Sequence, residues 1–196
     1  MTALALAGWI ASALMMRGMA SMDGPGSMQS FLWLWIAMSA AMMLSSLVPS
    51  ASLAASLGRS GTAFVSGYLA VWTPSGLVAF EVAREFMAPA RWLAAGTIVA
   101  AAAYQFSPLK RACLRRCRSP LGSLLRHGSF TAGLQHGAVC LGCCWALMLA
   151  LLALGVGSLF WMAIVAAAIF AEKVGPPGMS SPVALGLLGA ATWLVT

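Results

Sequence analysis

Apolar runs of membrane-spanning length recur along this chain. A helix that crosses about 30 Å of hydrocarbon at about 1.5 Å per residue needs roughly 17–25 mostly apolar residues. Seven runs approach this length, at about residues 2–20, 30–48, 61–80, 89–106, 128–155, 159–171 and 181–196. Because the last two are short, the pattern predicts an all-α, polytopic transmembrane helical bundle of six or seven spans, with residues 1–196 as one domain.

The composition agrees with a surface that faces lipid. Hydrophobic residues make up 61% of the 196 and charged residues 8%, and the mean hydropathy is +0.91. A soluble globule of this composition would lack the polar side chains needed to cover its surface. The formal net charge of +7 is not accompanied by the interleaved aromatic and basic residues of RNA-binding segments. We therefore predict the lipid bilayer as a partner and exclude nucleic acid.

Basic residues are concentrated between the fourth and fifth apolar runs. Residues 107–127 contain Lys110, Arg111, Arg115, Arg116, Arg118 and Arg126. Positive charge is retained on the cytoplasmic side of membrane proteins, so this loop is predicted to be cytoplasmic. In a seven-span arrangement, Arg59 and Lys173 lie on the same side.

The fifth apolar run carries ionisable, soft ligands that are costly in hydrocarbon. These are His136, Cys140, Cys143 and Cys144. On a helix that turns about 100° per residue, with His136 at zero, Cys140 falls at about +40°, Cys143 at about −20° and Cys144 at about +80°. All four side chains therefore lie on one helix face. A single cysteine is usually a packing residue, but this grouping predicts a metal site.

The ligand types favour Cu(I), with Zn(II) as the alternative. Met148, four residues after Cys144, is a candidate further ligand. Other methionines share helix faces, and we interpret them as packing residues: Met15, Met19 and Met22, then Met38 and Met42. One helix cannot easily surround an ion, so further ligands must come from elsewhere. The candidates are Tyr104, Gln105, the methionine-rich second helix, a partner chain, or a second cysteine pair.

That second pair is Cys113 and Cys117, in the basic loop. Their spacing puts both sulfurs on one face of a helix, and the neighbouring arginines are expected to lower the pKa of both thiols. Such a pair would suit the transfer of metal from the cytosol. Loop cysteines without a task, or lipidation sites, are the alternative.

These motifs, taken in order, resemble the DUF2182 family of metal-binding integral membrane proteins. The resemblance rests on Pro108–Pro120 with its cysteine pair, on Gly137 and Cys140–Met148, and on Glu172-Lys173, with weaker matches at Ala40–Met43 and Tyr68–Trp72. It covers about residues 31–173 and implies a bacterial inner-membrane protein with a metal site. Ser45-Ser46 stands where a proline commonly follows the Met-Met pair of the family.

Two charged groups border the apolar runs. Glu81, Arg84 and Glu85 are predicted to form an interfacial salt-bridge cluster. Glu172 and Lys173 end the sixth run, where we expect their side chains to extend toward the polar interface.

Copper handling or delivery is the favoured function, with a metallochaperone, a cuproenzyme or a membrane complex as partner. No catalytic residue is predicted. A membrane thiol-disulfide oxidoreductase is one alternative, because Cys140 and Cys143 form a CxxC motif and Cys113/Cys117 could act as its shuttle pair. Against it, the loop would face the reducing cytoplasm, and His136 and Cys144 would have no role. An accessory subunit of a membrane complex is the second alternative.

Overall fold

The computed structural model describes residues 2–19, 27–86, 91–155, 158–176 and 178–195. Within these ranges the chain folds into α-helices joined by short turns, without a β-strand. The helices in chain order are α1 (Thr2–Met19), α2 (Met28–Ser56), α3 (Gly61–Phe86), α4 (Arg91–Tyr104), α5 (Pro108–Arg118), α6 (Leu121–Arg126), α7 (Ser129–Leu154), α8 (Leu159–Val174) and α9 (Ser180–Val195). The all-α prediction is therefore confirmed.

Three of the described helices are long and apolar enough to cross a membrane, namely Met28–Ser56, Gly61–Arg84 and Ser129–Leu154. Three further apolar helices are shorter, namely Leu6–Arg17, Trp92–Tyr104 and Ser180–Leu194. The expected count of six or seven spans is not supported, because apolar composition extends over several helices that end before reaching a spanning length.

The bounds of α2 and of the basic segment differ from the prediction. Helix α2 continues through Pro49 to Ser56 instead of ending near residue 48. The proline removes one backbone hydrogen bond, but buried residues on both sides of it keep the helix packed in the core. Residues 107–127, predicted as a loop, contain α5 and α6. Ser107 begins α5 by accepting a hydrogen bond from the Lys110 backbone N–H.

Helices α3 and α7 pack closely, and glycines make this approach possible. A Cβ on Gly133 would overlap the Phe64 carbonyl oxygen, and one on Gly67 would overlap that of Phe130. Small residues let helix backbones approach in this way. The contact brings Tyr68 of α3 beside Cys140 of α7.

The methionines that share helix faces in α1 and α2 differ in how deeply their side chains are buried. Met38 and Met42 are 1% exposed in the hydrophobic core, as expected of packing residues, whereas Met15 is 38% exposed. The Met22 position and the Met19 and Glu85 side chains lie outside the described residues. Glu81 and Arg84 form the predicted ion pair, with 3.2 Å between Oε2 and Nη1.

Replacing Gly133 by alanine is expected to separate α3 from α7 and lower stability by about 1–3 kcal/mol, the usual cost of overpacking. The matched control is Gly186→Ala in α9, where a Cβ meets nothing within 4 Å and alanine gains about 0.5–1 kcal/mol of helix propensity. Thermal unfolding of the two purified variants should shift in opposite directions. Equal shifts would contradict the close packing.

Candidate metal centre

Three buried thiols converge between α5 and α7. The sulfur atoms of Cys117, Cys140 and Cys143 all lie within 4.8 Å of one another. Cys140 and Cys143 come from adjacent turns of α7, and Cys117 comes from the last turn of α5. Of the sources considered for the missing ligands, the second cysteine pair contributes Cys117 to the cluster. We call these three residues the thiol triad.

Two of the predicted residues flank the thiol triad. Nε2 of His136 lies 3.9 Å from Sγ of Cys117, and Sγ of Cys144 lies 3.3 Å from Sγ of Cys143. The imidazole is buried beside the rings of Phe64 and Tyr68, with centroid distances of 5.5 and 6.0 Å. Both residues are thus close enough to support a metal held by the triad.

Lys173 and Tyr68 contact the sulfur of Cys140. Nζ of Lys173 and Oη of Tyr68 each lie 3.0 Å from this sulfur. The ammonium also donates to Oγ of Ser46 at 3.0 Å and lies 3.7 Å from Sδ of Met43. The expectation that Lys173 extends toward the interface is wrong, because its amine lies inside the protein against the Cys140 sulfur. A positive charge in this position would favour the thiolate form of Cys140.

Helix α5 is held in place by a buried ion pair with α8. Nζ of Lys110 lies 2.7 Å from Oε2 of Glu172, and both side chains are 1% exposed. The ammonium also donates to Oε1 of Gln105, and Nε of Arg118 donates to the Glu172 backbone carbonyl at 3.0 Å. The interfacial role expected for Glu172 is therefore also wrong, since its carboxylate is buried and paired with Lys110.

Other candidate ligands from the sequence have different neighbours. Sγ of Cys113 lies against Gly142, where an added Cβ would approach it to 2.9 Å. Met148 is buried and lines an apolar cavity with Trp72 and Trp145. Oη of Tyr104 donates to the Gly142 carbonyl at 2.7 Å.

The electrostatic environment of Cys117 is the reverse of the one expected. Its interaction with the Cys140 sulfur, followed by burial, raises the pKa of Cys117 to about 12. The arginines of α5 were expected to lower it. Cys117, however, is 5% exposed and points into the bundle, away from the solvated guanidinium groups that the argument required.

Sequence reasoning missed the roles of Tyr68, Lys173 and the Lys110–Glu172 pair. The available signal was the Glu172-Lys173 dipeptide at the end of an apolar run. Charged residues in apolar surroundings usually have a specific partner. The sequence alone does not show which residue that partner is.

Removing the charge of Glu172 is expected to loosen α5 and expose Cys117. In Glu172→Gln the Lys110 ammonium loses its buried partner, a change that typically costs about 3–5 kcal/mol. Alkylation of Cys117, followed by peptide mass spectrometry, should accelerate at least about tenfold. The matched control is Glu81→Gln, whose carboxylate forms an exposed ion pair. Equal alkylation rates in the two variants would show that the buried pair does not position α5.

Comparison with known proteins places the chain beside one family. A family model described as "PpoB2: Copper chaperone" matches residues 32–195. No curated protein and no solved structure matches the chain significantly. The matched region contains the thiol triad and both residues of the Lys110–Glu172 pair.

Proposed function

The chain belongs to the PpoB2 copper chaperone family, and on this premise we propose that it binds Cu(I) as cargo at Cys117, Cys140 and Cys143 and delivers it to a cuproenzyme. The observation that carries the proposal is the convergence of three buried thiols from two helices within 4.8 Å. His136 and Cys144 support the site from either side, and the protein acts as a carrier rather than an enzyme.

The donor set suits Cu(I) because thiolates are soft ligands. Zn(II) is the competing ion, since the thiol triad with His136 would provide the Cys₃His set of a tetrahedral zinc site. The family's description favours copper. Met43, whose thioether lies near Lys173, adds a soft donor at the edge of the site. Cys113 and Met148 lie outside the proposed ligand set.

The arrangement of the ligands suggests how the cargo is received. Two thiols belong to α7, which is packed tightly against α3, whereas Cys117 belongs to the short basic helix α5. A metal ion bound by thiolates moves to another protein by exchanging one ligand at a time. We assign Cys117 as the ligand that exchanges with an incoming metallochaperone, because it lies at the last turn of a short helix that is joined to α8 by polar contacts.

We further propose that α2, α3 and α7 cross a bacterial inner membrane with residues 107–127 on the cytoplasmic side. The lengths and apolar composition of these helices support this location. Nη1 of Arg59 donates to the His127 carbonyl at 2.8 Å, so the turn between α2 and α3 lies at the same end of the bundle as residue 127, where the basic segment ends. Basic residues on one side favour the cytoplasmic orientation.

The copper proposal predicts a specific pattern of metal loss. The protein purified anaerobically should hold about one Cu(I) per chain in a sulfur-rich site. Changing Cys117, Cys140 or Cys143 to serine should weaken Cu(I) binding by more than roughly 100-fold, beyond the effect typical of an outer-shell change. Elemental mass spectrometry and competition with a Cu(I) chelator measure both quantities.

Cys113→Ser is the matched control, because it removes a thiol from the same helix without touching the thiol triad. Its copper content should equal that of the unmodified protein. If the purified protein instead contains stoichiometric zinc, the cargo is Zn(II) and not Cu(I). A metal-free protein with a reversible disulfide between Cys140 and Cys143 would instead support the oxidoreductase alternative.

The proposed orientation predicts that cysteines introduced at opposite ends of the bundle react from opposite sides of the membrane. In a Cys113→Ser background, a cysteine introduced at exposed Ser119 should react with an impermeant maleimide only from the cytoplasmic side. A cysteine at exposed Gln29, at the other end of α2, should react only from the opposite side. Labelling of both positions from one side, or release of the protein by alkaline washing, would contradict the proposed location.

A further inference from the structure

A cavity of about 580 Å³ lies where α5 meets the start of α9. Three arginines of one α5 face contribute to its wall: Arg111, Arg115 and Arg118. Their i, i+4 and i+7 spacing places them on the same side of the helix. Lys110 and Cys117 of the same helix face α8 and the thiol triad instead. The cavity is therefore separate from the copper site.

Two of the arginines in this wall, Arg111 and Arg115, have no acidic partner among the residues that the structure describes. The whole chain has only four acidic residues, and Glu172, which is close to the cavity, is already paired with Lys110. Within the described ranges, neither Arg111 nor Arg115 forms an ion pair. Their positive charge thus has no counter-ion from the described part of the chain.

A buried amide provides an independent indication of a ligand. Gln105 lines the cavity and is 1% exposed. Its Oε1 accepts a hydrogen bond from Lys110, but its Nε2 is buried without a partner among the described residues. A buried donor without an acceptor typically costs about 1–3 kcal/mol. An anion in the cavity would give this donor an acceptor.

The remaining wall combines a helix N-terminus with apolar side chains. Helix α9 begins at Ser180, and the positive end of its dipole favours an anion. Phe106, Leu114 and Met179 add apolar surface to the same cavity. The cavity is thus basic in one part and apolar in another, which matches a phosphate group attached to an apolar body.

We propose that this cavity is a phosphate-binding site, with the guanidinium groups of Arg111 and Arg115 and the amide of Gln105 as donors. Guanidinium groups pair with phosphate oxygens through two parallel hydrogen bonds. The phosphate belongs either to an anionic phospholipid or to a free phosphate ion. This site goes beyond the proposed copper function and is independent of bound copper.

The test compares Arg115→Gln with Arg116→Gln, which makes the same change at the next residue of α5, outside the cavity wall. Native mass spectrometry of the full chain would measure binding of phosphatidylglycerol, with diacylglycerol as the lipid that lacks phosphate. Calorimetry would measure binding of inorganic phosphate. Arg115→Gln should weaken binding by at least roughly tenfold, and Arg116→Gln should leave it unchanged.

A second variant, Gln105→Glu, keeps an acceptor for Lys110 but places a carboxylate at the cavity, and it should also weaken phosphate binding. Retention of phosphatidylglycerol but not inorganic phosphate identifies a lipid site, and binding of inorganic phosphate alone identifies a site for the free ion. Equal losses in Arg115→Gln and Arg116→Gln, or no binding of either ligand, would overturn the proposal. Copper content measured on the same samples separates this outcome from a failure of the copper site.

Discussion

The buried ion pair between Lys110 and Glu172 is the interaction on which the rest of the site depends. Five of the eleven residues of α5 are basic, and its buried residues are Lys110 and Cys117, so this helix has a charged as well as an apolar contact with the bundle. A buried pair adds little to stability compared with apolar residues of the same shape, but it tolerates few geometries. Here it fixes the position of α5, and with it the thiol of Cys117. The adjacent residue, Lys173, contacts Cys140, so one dipeptide of α8 organises both sides of the thiol triad.

The part of the site that lies on one helix could be predicted from the sequence, and the part that joins two helices could not. Helical periodicity is enough to place His136, Cys140, Cys143 and Cys144 on one face, and the structure has them all on α7. The same rule placed Cys113 and Cys117 on one face of a helix, yet only Cys117 belongs to the triad. Helical periodicity shows which residues share a face, but not which helix packs against that face. The position of α5 depends on the contact between Lys110 and Glu172, which are 62 positions apart in the chain.

The span count and the environment of Glu172 were mispredicted for related reasons. Hydropathy over a window measures the length of an apolar run, whereas a helix can end inside such a run, as α4 does at Tyr104 after 14 residues, two residues before the predicted end. Charges at the end of an apolar run usually extend to the polar interface. That expectation fails when a partner of opposite charge lies within the fold. Glu81 and Arg84 were predicted correctly because their ion pair is local, one helical turn apart.

The two sides of the proposed copper site are held by different kinds of contact. Helix α7 is fixed to α3 by backbone approaches that only glycine permits, and such packing does not deform gradually. Helix α5 is joined to α8 by directional polar contacts, namely the Lys110–Glu172 pair and the hydrogen bond from Arg118 to the Glu172 carbonyl. Cys140 and Cys143 therefore lie on a rigid wall, and we infer that α5, which carries Cys117, is the element that moves. A carrier must hold Cu(I) tightly and still release it. Under our proposal, movement of α5 changes the site from three sulfur ligands to two, so retention and release depend on the position of one short helix.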